Sequence, residues 1–135
     1  MLALSLAELL AEGEAIGASL GPGCLVTLEG EIGAGKTTLV QAIARGLGVS
    51  QTATSPTFTL VHRYQGRRGA VYHLDCYRLR RPEEARDLDW ETVLADGDAI
   101  LVEWPDRAGA WLPPPSLRLR LRHLADPTRR GLERL

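Results

Sequence analysis

Apolar positions switch between a helical and a strand-like period along the chain, and each switch predicts an element. Ser5 with Glu8 three residues later forms a capping box. Leu6, Leu9, Leu10, Ile16 and Leu20 follow at helical spacing, so a first helix is predicted near 5–20, weakened by Gly13 and Gly17. Gly21-Pro22-Gly23 ends it in a turn. Cys24 to Glu29 is an apolar run that reads as a buried strand, and Thr38 to Leu47 is helix-periodic with Gly46 and Gly48 at its end. Residues 49–57 have no period and many hydroxyls, which predicts a loop. Phe58–Tyr64 reads as a strand, 65–69 as a hairpin loop and Ala70–Asp75 as the antiparallel return strand.

Further along, Pro82 with Glu83 and Glu84 marks a helix start. A short helix is predicted around 88–95, with Trp90, Val93 and Leu94 inward. Ala99–Glu103 reads as a second buried strand, stopped by Trp104-Pro105. Pro113 to Pro115 form a rigid connector. Leu117, Leu119 and Leu121 alternate with Arg118, Arg120 and Arg122, the pattern of a half-buried strand whose arginines read as its solvated face in preference to an RNA patch.

The stretch Gly30-Glu31-Ile32-Gly33-Ala34-Gly35-Lys36-Thr37 stands between the first strand and the second helix and fits G-x-x-x-x-G-K-[ST], the Walker A loop. Glycines let such a loop turn its N–H groups around a phosphate. Lys36 brings a compact charge to phosphate oxygens, and the Thr37 hydroxyl is a Mg²⁺ ligand type. Strand, loop and helix in this order are the context that the motif needs. The expected fold class is α/β: a P-loop NTPase three-layer sandwich, mostly parallel, with an added antiparallel hairpin.

Composition narrows the picture. A chain of 135 residues predicts a single domain, 1–135, and a net charge of −1 gives no overall field for nucleic acid or a membrane. No apolar run approaches a membrane span, and the first residues carry acids rather than a basic start, so a cytoplasmic protein is expected. Cys24 and Cys76 have no C-x-x-C spacing and read as reduced, buried residues. Of 16 Lys and Arg residues, only Lys36 is a lysine, and asparagine is absent. Two sources fit this bias, a thermophilic origin and a GC-rich genome.

Hydrolysis needs Mg²⁺ held opposite the loop and a placed water. Two apolar strands end in acids, Asp75 and Glu103. Glu103 follows the more apolar run and is assigned to the metal, directly or through water. Asp75 is assigned either to the metal shell or to the attacking water. Thr54, Ser55 and Thr57 read either as switch hydroxyls or as an ordinary polar loop. His62, His73 and His123 lack metal spacing and read as structural histidines. Arg78, Arg80 and Arg81 follow Asp75 and are candidates for contact with a partner or tRNA.

Together these segments resemble the TsaE (YjeE) family, the small ATPases of bacterial tRNA threonylcarbamoyl-adenosine synthesis. LEGEIGAGKTTLV (28–40), SPTFTLVHRY (55–64), VYHLDCYRL (71–79) and ILVEWPDR (100–107) carry the resemblance, and the opening helix and the turn at Leu112–Pro115 also fit. It implies that Glu31, Ile32, Gly33, Ala34, Gly35, Lys36, Thr37 and Thr38 bind ATP phosphates. It implies Mg²⁺ on Thr37 and Glu103, with Asp75, Glu103 and Lys36 as the catalytic set. Asp75 would lie near the γ-phosphate, Trp104 on the working face and the opening helix near the adenine. A C-terminal arginine would meet nucleotide; Arg129 is chosen, and Arg130 fits the loose motif as well. Asp106 occupies a position that the family fills variably.

The implied activity is ATP hydrolysis supporting a TsaD-type transferase and its TsaB-type companion, which modify the adenosine beside the tRNA anticodon. Two other readings stay open from the residues. One is a small-molecule P-loop kinase, against which stands the lack of an arginine-rich lid segment. The other is a module that senses ATP without turnover. The missing asparagine argues against a GTPase with an N-K-x-D base motif.

Overall fold

The computed structural model describes residues 1–50 and 60–135. The chain starts with strand β1 (Leu2–Ser5) and helix α1 (Leu6–Ser19). The capping box forms: Glu8 N–H donates to Ser5 Oγ at 3.2 Å, and Ser5 N–H donates to Glu8 Oε1 at 2.9 Å. Strand β2 (Cys24–Gly30) and helix α2 (Lys36–Gly46) follow. Strands β3 (Val61–Gln65) and β4 (Ala70–Asp75) make the predicted hairpin. Two short helices, α3 (Glu83–Arg86) and α4 (Trp90–Asp96), lead into β5 (Gly97–Glu103). Helix α5 (Pro105–Ala108) precedes β6 (Leu117–His123) and β7 (Arg129–Arg134).

The seven strands form one sheet in the order β1-β7-β6-β2-β5-β4-β3. Its middle, β6-β2-β5-β4, is parallel. The expected hairpin adds an antiparallel strand at one edge. A second antiparallel unit, β6-β7-β1, stands at the other edge, so the parallel pairing covers less of the sheet than the sequence suggested. Helices pack on both faces. One core holds Leu9 and Ile16 of α1 and Leu39 and Ile43 of α2 against Val26, Leu28 and Leu101. The opposite core holds Ala85, Val93 and Ala108 against Leu25, Ile100 and Val102.

Three elements were not legible in advance. β1 and β7 were not predicted, and Pro105 starts a short helix at its first position rather than merely stopping the strand. The predicted strand at 58–64 appears from Val61; its first positions, like Thr54, Ser55 and Thr57, lie outside the described residues. Leu94 is exposed rather than inward, and Leu6, at the start of the α1 apolar period, is exposed as well. Among the described residues no helix is long and apolar enough to cross a membrane.

Gly17 acts as a packing residue. A Cβ there would lie 2.1 Å from the Ile43 carbonyl oxygen, and one on Gly46 would lie 2.1 Å from the Glu14 carbonyl oxygen. The close crossing of α1 on α2 therefore depends on absent side chains. Propensity alone would make Gly17→Ala stabilising by about 1 kcal/mol. The crossing reverses the sign: urea unfolding is expected to show Gly17→Ala destabilised by about 1–3 kcal/mol. Gly21→Ala, where a Cβ meets nothing within 4 Å, should stay within about 0.5 kcal/mol of the parent. Equal stability of Gly17→Ala and the parent would contradict the close crossing.

Candidate functional site

The four parallel strands point their carboxyl ends to one edge of the sheet, where open α/β folds bind ligands. β2 leaves the sheet through Gly30 at φ 150°, and a Cβ there would lie 2.6 Å from the Leu121 carbonyl oxygen. The loop then turns, with Ala34 N–H donating to the Glu31 carbonyl at 3.1 Å. Gly35, at φ 104°, is the residue before α2, and no side chain caps the helix. The free N–H groups of the first turn and the positive end of the helix dipole therefore face whatever fills the space beyond.

That space is a cleft of about 440 Å³. Ile32, Gly33, Gly35, Lys36, Thr37 and Thr38 form one wall. Asp75, Tyr77, Glu103 and Trp104 form the other. Lys36 is 5% exposed. Its ammonium donates to the Gly30 carbonyl and, at 2.8 Å, to the Glu31 carbonyl, and lies 4.0 Å from the Trp104 ring centroid. Burial lowers its pKa from the ordinary lysine value; Glu103, Asp75 and Asp106 act in the opposite direction. Trp104 is the only non-glycine with positive φ among the described residues, at φ 56° and ψ 54°. Such strain costs on the order of 1–3 kcal/mol and tends to gather at functional sites. The ring also meets Tyr77, with centroids 5.0 Å apart, and Arg107 lies 4.8 Å from the Tyr77 ring.

Glu103 is the buried acid, at 4% exposure. Thr37 Oγ1 donates toward both of its oxygens, at 3.1 Å and 3.4 Å. His73 Nε2 lies 2.6 Å from Oε2. Asp75 sits beside Glu103 in the β4–β5 register. It is less buried, accepts from Tyr77 N–H at 3.1 Å and lies 3.8 Å from Arg78 Nε. Period-two alternation along β4 places His73 and Asp75 on the α2 side of the sheet with Glu103.

The structure thus gathers Lys36, Thr37, Thr38, Asp75 and Glu103 around one cleft, with Ile32, Gly33 and Gly35 in the loop wall. Glu31 joins through its carbonyl, and Ala34 is buried beneath the loop. Arg129 lies elsewhere: its Nη1 donates to Glu8 Oε1 at 2.9 Å and to the Ala3 carbonyl at 3.2 Å, and it does not line the cleft. Arg130 Nη1 donates to the Pro127 and Arg129 carbonyls. Arg118 and Arg120 pair with Glu29, and Arg122 pairs with Glu133, as a solvated strand face would. Cys76 is buried, and burial pushes its thiol up to about 12, which suits a structural thiol.

Sequence reasoning assigned no role to Tyr77, which lines the cleft, and missed two histidine contacts. His73 touches Glu103, and His123 Nε2 lies 3.2 Å from the Ile32 carbonyl oxygen. Only the position of His73, two residues before Asp75, hinted at the first.

The family model described as threonylcarbamoyl adenosine biosynthesis protein TsaE matches residues 4–131. A Treponema pallidum (strain Nichols) protein named tRNA threonylcarbamoyladenosine biosynthesis protein TsaE is 38% identical over 117 residues, 87% of this chain and 86% of its own. A Nostoc sp. protein of the same name is 42% identical over 96 residues, 68% of this chain and 59% of its own. The crystal structure of Bacillus subtilis YdiB superposes with a TM-score of 0.75 at 30% identity, covering 96% of this chain and 78% of that one. With the family model running through the loop and both acids and into the start of β7, the chain belongs to the TsaE family.

Proposed function

We propose that the protein is a P-loop NTPase that hydrolyses ATP with Mg²⁺, in support of the enzymes that add threonylcarbamoyl to the adenosine beside the tRNA anticodon. The carrying observation is the Thr37–Glu103 hydrogen bond at the uncapped start of α2, with Lys36 held in the same loop. The names of the relatives support the biosynthetic role. The absence of asparagine favours ATP over GTP.

The residues present fit the nucleotide and the ion. An uncapped helix start with a glycine loop is a ready anion site. A threonine hydroxyl and two carboxylates are hard oxygen donors, the set that suits Mg²⁺. Mg²⁺ relies on phosphates and waters plus one or two side chains rather than on a protein cage.

Bound Mg·ATP would supply the transferable phosphoryl group and neutralise its charge. The chain supplies the rest. The first-turn N–H groups and Lys36 bind phosphate oxygens, and Thr37 and Glu103 are the residues that would hold the ion. Asp75 opens to the cleft and serves to orient water. Lys36 makes its present bonds to loop carbonyls, so it has an ammonium in place before any phosphate arrives. A TsaD-type transferase and a TsaB-type companion are the proposed partners, with tRNA contacted within that complex.

Equilibrium binding and turnover separate these roles. Lys36→Ala should weaken ATP binding about 100-fold, the worth of a lost charge-assisted contact. Glu103→Ala should keep binding within a few-fold yet lower Mg²⁺-dependent kcat by about 10²–10³-fold. Full turnover by Glu103→Ala would sink its assignment to the metal. ATP hydrolysis should rise when purified TsaD, TsaB and tRNA are added, and no stimulation in any combination would count against the proposed role.

A further inference from the structure

Glu103 raises a question that the loop does not answer: what fixes the orientation of its carboxylate? A glutamate side chain has three rotatable torsions. A charge this deeply buried needs hydrogen bonds to offset lost hydration. Besides Thr37, the side chain that meets its carboxylate among the described residues is His73. Thr37 has a single hydroxyl hydrogen, and its oxygen lies 3.1 Å from one carboxylate oxygen and 3.4 Å from the other. One shared hydrogen sets distance but does not fix the plane of the group.

His73 approaches from the other side. Its Nε2 is 2.6 Å from Oε2, the oxygen more distant from Thr37. A carboxylate accepts, so Nε2 carries the hydrogen. The sheet register dictates this approach. Asp75 pairs with Glu103 and His73 pairs with Leu101, so His73 stands one same-face step back along β4, in diagonal reach of Glu103. The His73 side chain is 15% exposed and that of Glu103 is 5% exposed, so little water competes for the bond. His62 lies beside it, with ring centroids 5.9 Å apart, and is itself stacked on Tyr64.

We infer that His73 is a positioning residue: by donating from Nε2 to Glu103 Oε2 it holds the carboxylate with its other oxygen toward Thr37, in the orientation that receives the ion. This rests on the reading of Glu103 as a metal residue. Ligating carboxylates commonly depend on such outer partners, and their loss costs about 10–100-fold in metal affinity or activity.

The test uses ADP, so that no turnover is involved. Mg²⁺ is titrated calorimetrically into the ADP complex of the parent, His73→Phe, His73→Met, His73→Gln and His62→Phe. Both variants without a donor should weaken Mg²⁺ at least about 10-fold while metal-free ADP affinity stays within about 2-fold. His73→Gln keeps an N–H near the position of Nε2 and should recover most of the loss. His62→Phe should behave as the parent. Unchanged Mg²⁺ affinity in either folded donor-less variant overturns the inference. If the parent complex takes up no Mg²⁺, the metal reading of Glu103 falls first and this inference with it. Should neither variant fold, the parent's long-range ¹H–¹⁵N spectrum decides: hydrogen on His73 Nε2 supports the inference, and a neutral ring with hydrogen only on Nδ1 overturns it.

Discussion

Glu103 carries a carboxylate into the interior at the carboxyl end of the central strands, where an unpaired charge costs several kcal/mol. Its hydrogen bonds to Thr37 and His73 make that burial tolerable. They also join three elements. Thr37 lies in the first turn of α2, Glu103 ends β5 and His73 lies near the end of β4. The parallel register between β2, β5 and β4 brings those ends to one level. The close crossing of α1 on α2 holds the helix whose first turn forms the loop wall. The cleft is thus a consequence of how the sheet and helices meet.

The lysine follows from the same geometry. Lys36 fits its ammonium among two loop carbonyls and the face of Trp104. A compact, three-donor head suits this narrow position, whereas the planar fork of arginine does not. In a chain that otherwise uses arginine for every basic residue, this is the one place that keeps lysine. Trp104 in turn adopts a left-handed backbone directly after Glu103 and touches Lys36 and Tyr77. The strain is offset by these contacts and by the adjoining core.

Much of this was legible in the residues. The glycine loop, the buried strands ending at Asp75 and Glu103, the hairpin and the capping box all stand where local pattern placed them. The misses share a cause. β7 reads Arg-Arg-Gly-Leu-Glu-Arg, and only Gly131 and Leu132 are buried, so its apolar signal is almost nil. β1 is four residues long and lies at an edge. Gly13 and Gly17 looked like helix weaknesses because the partner that needs their missing side chains is some 30 residues away. His73 looked structural because its contact with Glu103 crosses between strands, 30 positions apart in sequence. Local periodicity reports which face a residue takes; it does not report what the neighbouring strand places there.

A crystal structure with Mg²⁺ and a non-hydrolysable ATP analogue tests the central claim most directly. The account predicts the ion about 2.1 Å from Thr37 Oγ1, on the Glu103 side, with the phosphates against the first turn of α2. It also predicts Lys36 Nζ bound to phosphate oxygen instead of the Gly30 and Glu31 carbonyls. Nucleotide bound away from this cleft, or Lys36 unmoved with no ion beside Thr37 and Glu103, would contradict it.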